Sequence, residues 1–304
     1  MRSTAYRTIT VCIPCSLLLL CCGYGLALAL DPGRALSEFN GQVWLTENGL
    51  PQNTVHSITQ AKDGYIWLAT EEGLARFDGI RFTVFDKQNT PELKSNDIRV
   101  LLEDRNGALW VGTANGLVRL MDGKFTTFTT QDGLPSNIID TLCEDPAGSL
   151  LVVTAAGIVR FGDRVFTPFG AEGEFPQNGI KALFADRGGA LWIGSADGLT
   201  RYKDGAVVRY TTHDGLANNS VVSIEQDKDG RVWVGTSNGL SQLEGNRFLT
   251  YTTHEGLPNN RIISLAVDRE GSLWIGTGGG LSRFANKHFS SFRSGDGLAN
   301  EIIG

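Results

Sequence analysis

The sequence predicts an all-β protein: a β-propeller of four-stranded blades, with six complete blades and fragments of a seventh. Three observations carry this prediction: a repeat of about 41 residues, a tryptophan at one position of most repeats, and 38 glycines among 304 residues. An average chain of this length holds about 21 glycines. The excess indicates many tight turns, and many turns indicate short strands.

The repeat combines an aspartate turn, a tryptophan and a Gly-Leu pair, as in DRNGALWVGTANGLVRL from Asp104. Related segments begin at Ala61, Asp145, Asp186, Asp227 and Asp268. The marker column of the repeat is Trp67, Trp110, Leu151, Trp192, Trp233 and Trp274. A second motif of the type DGLPxN lies between the copies, for example at Asp132. Helical repeats of this length need long stretches with a period of 3.6 residues, and the sequence has none.

Each repeat divides into four strands, as the last complete copy illustrates. An alternating stretch over 262–267 precedes a turn over 268–271 and the tryptophan strand over 272–277. A glycine turn leads to a third strand over 281–284, and another turn leads to a fourth over 288–293. β-Branched and aromatic residues between such turns are typical of hairpins. Four strands in about 41 residues match the period of a propeller blade.

Residues that recur in every blade are predicted to be structural. We expect the tryptophans to pack between blades, although an aromatic platform for a sugar is the alternative. Glycines two residues after the marker are expected where neighbouring blades approach closely: Gly112, Gly194, Gly235 and Gly276. Glycines six residues after the marker are expected at turns with positive φ. Arginines nine residues after it are expected to donate hydrogen bonds between blades.

The two ends of the repeat region indicate how the ring closes. The segment GQVWLTENGL from Gly41 aligns with FLTYTTHEGL from Phe248. Residues 41–47 are therefore predicted to be the last strand of a blade, which ties the ring shut. Six complete blades are expected over about 49–293, and residues 294–304 begin a seventh. Because that blade lacks about three strands, the sequence is interpreted as a fragment with an exposed gap or edge.

Residues 1–29 are predicted to be a secretory signal peptide, followed by a short segment over 30–40. A basic start, an apolar run and the Ala27-Leu28-Ala29 end predict cleavage after Ala29. Two alternatives stay open. The stretch over 9–30 is long enough to remain as a membrane anchor, and Leu19-Leu20-Cys21-Cys22 weakly resembles a lipoprotein cleavage site.

Composition excludes several other kinds of protein. Four of five cysteines lie in the leader, so the mature chain keeps only Cys143 and can form neither an internal disulfide nor a cysteine metal cluster. The net charge of −6 and the lack of a basic run argue against nucleic acid as a partner. The sequence has no P-loop, G-x-S-x-G or H-E-x-x-H motif, and no metal or cofactor is expected.

One position of the predicted first strand breaks the repeat. It lies five residues before the turn aspartate and is occupied by His56, Arg99, Asp140, Lys181, Val222 and Ile263. First strands line the central channel of a propeller. The four polar occupants, in blades 1 to 4, are therefore predicted to line the channel or its mouth and to contact a polar ligand. The alternative is that they are solvated channel residues without a ligand.

The pairing of the tryptophan repeat with the second motif resembles the two-component regulator propeller repeat over residues 41–304. Leu151 and Val153 in the third blade, and Ala61 in the first, depart from the pattern. The resemblance implies a periplasmic sensor propeller at the outer face of the bacterial inner membrane. Its expected ligand is small and polar, often a carbohydrate fragment.

In receptors of this family, a further β-domain, a transmembrane helix and a histidine kinase or diguanylate cyclase follow the propeller. This chain is accordingly expected to hold no catalytic domain. It would meet the membrane only through that following part or through an uncleaved N-terminal segment, and it would pair with a second copy in a homodimeric receptor. Two other functions stay open: a secreted propeller enzyme of the streptogramin-lyase type, and a propeller scaffold that binds another protein.

Overall fold

The computed structural model describes residues 42–170, 173–176, 179–296 and 298. The predicted signal peptide, the segment over 30–40 and most of the predicted start of a seventh blade lie outside these residues. The described chain forms six antiparallel sheets of four strands, and the strands of each sheet follow one another in chain order. The predicted all-β fold with six four-stranded blades is therefore confirmed.

The strands are numbered β1 to β24 in chain order. Blade 1 contains β1 (Val55–Gln60), β2 (Ile66–Thr70), β3 (Gly73–Phe77) and β4 (Phe82–Phe85), and blade 2 contains β5 (Ile98–Glu103), β6 (Leu109–Thr113), β7 (Gly116–Met121) and β8 (Lys124–Phe128). Blade 3 contains β9 (Ile139–Glu144), β10 (Leu150–Thr154), β11 (Gly157–Gly162) and β12 (Val165–Pro168), and blade 4 contains β13 (Ala182–Ala185), β14 (Leu191–Ser195), β15 (Gly198–Lys203) and β16 (Ala206–Tyr210). Blade 5 contains β17 (Val221–Gln226), β18 (Val232–Thr236), β19 (Gly239–Glu244) and β20 (Arg247–Tyr251), and blade 6 contains β21 (Ile262–Val267), β22 (Leu273–Thr277), β23 (Gly280–Ala285) and β24 (His288–Phe292).

Short 3-10 helices precede blades 1, 3 and 5, at Thr46–Asn48, Thr130–Asp132 and Thr212–Asp214, and another follows blade 6 at Ser294–Asp296. Each of these helices ends at the first residue of the second motif, and in the first three the glycine that follows ends the helix, as Gly133 does with a φ of +101°. Among the described residues, no helix has the length and apolar character needed to cross a membrane.

A hydrogen bond joins the turn aspartate to the marker tryptophan. In blade 5 the indole Nε1 of Trp233 donates to Oδ2 of Asp227 at 3.0 Å, and the equivalent bond is 2.8 Å in blades 2, 4 and 6. The other carboxylate oxygen of Asp227 accepts the backbone N–H groups of Asp229 and Arg231. Because buried indole and carboxylate groups need partners, this pair fixes the first turn of a blade to its second strand.

Blade 3, which has Leu151 in the marker column, satisfies its turn aspartate differently. Nη2 of Arg160 lies 3.1 Å from Oδ2 of Asp145, while Oδ1 of Asp145 accepts the N–H of Ser149. A guanidinium therefore takes the place of the missing indole. The carboxylate of Asp145, which is 5% exposed, thus keeps a charged donor.

Consecutive blades pack through one face each, which we call the trailing face of the first blade and the leading face of the next. The trailing face of blade 4 presents Trp192 and Leu199, which belong to one buried cluster with Ile224 and Val234 of blade 5. Equivalent residues form clusters between blades 1 and 2, 2 and 3, and 5 and 6. The apolar core therefore lies mainly between blades.

The glycine two residues after the marker lies where neighbouring blades approach closely. A Cβ on Gly194 would be 2.5 Å from Cγ1 of Val221 in blade 5. A Cβ on Gly112 or Gly235 would meet an isoleucine of the next blade at 2.7 Å. Glycine at this column thus sets the distance between blades. At the following turn, Gly198 has a φ of +131°, a conformation that favours glycine.

The end blades each expose a face that is buried elsewhere. On the leading face of blade 1, Ile58 is 60% exposed, whereas its equivalents Leu101 and Ile224 are each 6% exposed. On the trailing face of blade 6, Trp274 is half-buried, whereas Trp233 is 0% exposed. Blades 1 and 6 therefore each present apolar surface of the kind that other blades use to pack together.

The N-terminal segment covers the outer part of blade 1. The ring of Trp44 packs edge-on against Phe77 and Phe82, at centroid distances of 4.7 and 5.8 Å. Tyr251, which aligns with Trp44 in the repeat, packs in the same way on the outer strands of blade 6. Trp44 therefore occupies the place that the last strand of a preceding blade would fill.

The predicted closing strand over 41–47 takes another form in its described part. Residues 42–45 have no regular secondary structure, and Thr46–Asn48 form a 3-10 helix. Packing of the Trp44 ring, rather than a ladder of backbone hydrogen bonds, holds this segment on blade 1.

Candidate functional site

The position that breaks the repeat coincides with an irregularity in the first strand of the blades. In five blades the pairing of the first and second strands shifts register there. In blade 2, for example, the neighbours of Arg99 pair with two adjacent residues of β6, so Arg99 is the extra residue of a β-bulge. His56 and Asp140 occupy the same place in blades 1 and 3. Bulges redirect side chains and are frequent next to functional sites. The bulge is therefore a second reason to treat this position as a candidate site.

The structure brings two of the predicted site residues together. Nη1 of Arg99 lies 3.5 Å from Oδ1 of Asp140 on the first strand of the next blade. Nε of Arg99 lies 3.3 Å from Oδ2 of Asp97 in its own blade. Each of these side chains is slightly more than one-third exposed, so solvent screens the ion pairs and they contribute little to stability. Their exposure leaves the guanidinium of Arg99 accessible to a ligand.

The other two predicted site residues have different surroundings. Nε2 of His56 lies 3.7 Å from Oε1 of Glu71, in the turn between β2 and β3 of the same blade. The side chain of Lys181 is exposed, and its ammonium has no hydrogen bond or ion pair among the described residues, while its backbone N–H donates to Gly194. We call His56, Arg99, Asp140 and Lys181 the first-strand cluster.

Electrostatics distinguish the members of this cluster. Burial raises the pKa of the Asp140 carboxyl above its ordinary value, and the charge of Arg99 opposes that shift. Lys181 offers an ammonium without a carboxylate partner in the described chain. Arg99 and Lys181 thus differ, because carboxylates already engage the guanidinium of Arg99 and none engages the ammonium of Lys181 in the part of the chain that the structure describes.

Two further features are the cysteine and the possible metal ligands. Burial raises the pKa of the Cys143 thiol to about 12, so it stays protonated and unreactive at neutral pH. Within the described residues, no group of three or more His, Cys, Asp or Glu side chains is placed to hold a metal ion.

Inter-blade hydrogen bonds come from a position of the repeat that the sequence analysis did not single out. Nζ of Lys62, which follows the first turn position of blade 1, donates to backbone oxygens of Asp104 and Arg105 in blade 2 at 3.1 and 2.8 Å. Arg105, Arg187 and Lys228 donate to the turn of the next blade in the same way. We call these four cations the latch residues. The available signal was a Lys or Arg directly after the turn position in most copies.

Two of the arginines nine residues after the marker, which were expected to donate hydrogen bonds between blades, lie over the tryptophan of their own blade. The guanidinium of Arg119 lies over the ring of Trp110 in its own blade, at 5.5 Å from the centroid. Arg201 lies over Trp192 at 5.6 Å. Because each arginine is directly paired with the marker across two strands, its side chain reaches the indole of its own blade and stacks there.

Comparisons with known proteins agree with the repeat and the fold. The family model described as a two component regulator propeller matches residues 49–72, 92–115, 215–238 and 256–279. No curated protein sequence matches the chain.

Solved structures share the propeller architecture. The extracellular domain of a putative hybrid two component system from B. thetaiotaomicron is 26% identical, with a TM-score of 0.75 over 86% of this chain and 38% of that one. A second extracellular domain of such a system from the same organism is 20% identical, with a TM-score of 0.51 over 79% of this chain and 43% of that one. A streptogramin B lyase is 17% identical, with a TM-score of 0.64 over 81% of this chain and 84% of that one. This chain thus spans less than half of each of the two extracellular domains.

Proposed function

We propose, from the two-component regulator propeller repeats that this chain carries, that it is the exported ligand-sensing propeller of a bacterial signal-transduction receptor. The observation that carries the proposal is the agreement of two independent findings: the matched repeats, and the 26% identity to the extracellular domain of a putative hybrid two component system. In this proposal the kinase or cyclase output belongs to other parts of the receptor, and the propeller lies in the periplasm.

The proposed ligand site is the first-strand cluster. Its residues differ between blades where the scaffold positions repeat, and a ligand with distinct ends needs such asymmetry. Arg99 and Lys181 supply positive charge on blades 2 and 4, with Asp140 between them on blade 3. This arrangement fits a polar ligand with acidic groups, such as an acidic carbohydrate fragment.

Binding of an oligogalacturonate probe tests this site. We expect Arg99→Ala combined with Lys181→Ala to weaken binding by about tenfold or more, because two charge-assisted hydrogen bonds are lost. Isothermal titration calorimetry on the purified chain measures the affinity. Lys124→Ala, an exposed lysine of blade 2 outside the cluster, is the matched control and should bind like the wild type. Equal heats from the wild type and the double variant would count against the proposal.

Export is tested by the mature N-terminus. Expression of the entire sequence in a Gram-negative host is expected to yield a periplasmic protein that begins at Leu30, because cleavage is predicted after Ala29. Mass spectrometry of the periplasmic fraction measures this end. A protein retained in the membrane with its first 29 residues attached would instead support the anchor alternative.

One observation favours a second candidate, a propeller lyase. His56 and Glu71 form a histidine–carboxylate pair 3.7 Å apart at a position that breaks the repeat, and such a pair can remove a proton from a substrate. The likeness to the streptogramin B lyase supports the fold alone. A β-elimination assay on a streptogramin B substrate, with His56→Ala as the control, separates this candidate from the sensor.

A further inference from the structure

Blade 5 lacks a guanidinium that the other blades hold on an aromatic surface. The third-strand residue opposite the marker is Arg76, Arg119, Arg160, Arg201 and Arg283 in the other blades. Their guanidinium carbons lie between 4.4 and 5.8 Å from an aromatic centroid. In blade 5 the residue is Gln242, opposite Trp233. The repeat therefore defines a position for a guanidinium group, and in blade 5 no side chain of the repeat supplies that group.

Gln242 is held at the base of a pocket. The residue is 7% exposed, and its Oε1 accepts the hydroxyl of Tyr251 at 3.1 Å. Its amide nitrogen has no hydrogen-bond partner in the described chain. Because Tyr251 can either donate or accept, half a turn of the amide would keep that bond and point the amide oxygen into the pocket. Gln242 can thus offer an acceptor to a ligand.

The pocket between blades 5 and 6 has a volume of about 700 Å³. Its aromatic wall is formed by Tyr251, Phe284 and Phe289, and Glu244 also lines it. The rings lie 4.7 to 6.0 Å from one another. An aromatic wall beside a carboxylate is the surface on which a flat cation binds well.

The charge on the third strand of blade 5 differs from the charge at the same positions of blade 4. Blade 4 has Arg201 and Lys203 at the positions where blade 5 has Gln242 and Glu244. The carboxylate of Glu244 has no hydrogen bond or ion pair among the described residues. It also contributes to the raised pKa of Tyr251, after burial as the main cause. The pocket is therefore lined by a carboxylate, that of Glu244, with no cationic partner in the part of the chain that the structure describes.

Two cations also line the pocket, and they restrict the ligand further. Arg231 is held by Asp227 and Asp229, with N–O distances of 3.3 and 3.0 Å, so its charge is neutralised. Lys287, on the turn between β23 and β24, has no ion pair within the described residues. A ligand that places a cation at Glu244 can therefore place an anion at Lys287.

We propose that this pocket binds a small guanidino acid, a molecule with a guanidinium group at one end and a carboxylate at the other. The guanidinium takes the place of the missing repeat arginine, stacks on the aromatic wall and pairs with Glu244. The carboxylate pairs with Lys287. This site lies on blades 5 and 6 and is independent of the first-strand cluster.

Titration calorimetry of the full chain with L-arginine tests the proposal. The wild type is expected to bind L-arginine in a saturable manner, and the isosteric but neutral L-citrulline at least about tenfold more weakly. Gln242→Arg restores the repeat residue and is expected to abolish binding, because its own guanidinium fills the position. Glu244→Gln is expected to weaken binding about tenfold or more. Glu72→Gln, an exposed carboxylate of blade 1, is the matched control.

Folding can be separated from binding in this experiment. Gln242→Arg introduces the residue found in five sister blades, so its thermal unfolding midpoint should stay at or above that of the wild type. The proposal is overturned if the wild type does not bind L-arginine saturably. It is equally overturned if citrulline binds as well as arginine, or if Gln242→Arg binds arginine as the wild type does.

Discussion

Replacing Trp233 with alanine is expected to lower the free energy of unfolding by about 3–5 kcal/mol. The side chain is 0% exposed between blades 5 and 6, and its ring lies 5.1 Å from that of Phe284 and 5.6 Å from that of Tyr251. Its removal leaves a cavity and takes one donor from the carboxylate of Asp227. Urea denaturation followed by circular dichroism measures the change.

A second substitution at the same position separates packing from hydrogen bonding. Trp233→Phe keeps an aromatic ring between the blades and removes only part of the volume and the indole N–H. Its cost should therefore lie between zero and the cost of alanine. A loss of less than about 1 kcal/mol for Trp233→Ala would mean that the inter-blade core tolerates the cavity, contrary to this account.

Gly194→Ala is expected to destabilise the protein by about 1–3 kcal/mol, because the added methyl overpacks the contact between blades 4 and 5. A Cβ there would be 2.5 Å from Cγ1 of Val221 and 3.2 Å from Cβ of Ala182. Gly162→Ala is the matched control, since a Cβ on Gly162 would meet no atom within 4 Å. That control should change stability by less than about 0.5 kcal/mol. Equal losses of stability for the two variants would contradict this account, because they would mean that the close approach of Val221 is not the reason for glycine at residue 194.

The sequence was sufficient for the architecture because the repeated residues have repeated physical roles. A turn carboxylate that binds an indole, as Asp227 binds that of Trp233, needs both residues at one spacing in each blade. A shared spacing is what a comparison of segments reveals. Blade 3 departs from the repeat at Leu151, and Arg160 supplies the donor that the missing indole would give to Asp145. That contact depends on the reach of a side chain across strands, which an alignment of the repeats does not show.

The candidate site was predictable in part. A variable column among repeated neighbours pointed to Arg99 and Asp140, and the structure places them 3.5 Å apart. The variable column did not predict that His56 would approach Glu71, because that contact depends on the turn between the second and third strands. The β-bulge at this column also escaped prediction, since it arises from strand pairing rather than from a residue type.

Gln242 is the exception in a repeat column that holds arginine in the other five blades. Its meaning required the structure, because only there does the loss of one guanidinium coincide with a pocket and an unpaired carboxylate at Glu244.

The exposed end faces of blades 1 and 6 have an energetic consequence. Blades interact with their immediate neighbours, so the molecule resembles a one-dimensional lattice with nearest-neighbour coupling. Interior blades have two coupling terms, whereas blade 1, with Ile58 exposed, and blade 6, with Trp274 half-buried, each lack much of one. Arg269 stands at the latch position of blade 6 but makes no hydrogen bond among the described residues. We therefore expect local opening to begin at blades 1 and 6, and the amides of blades 3 and 4 to be the last to lose protection from hydrogen exchange.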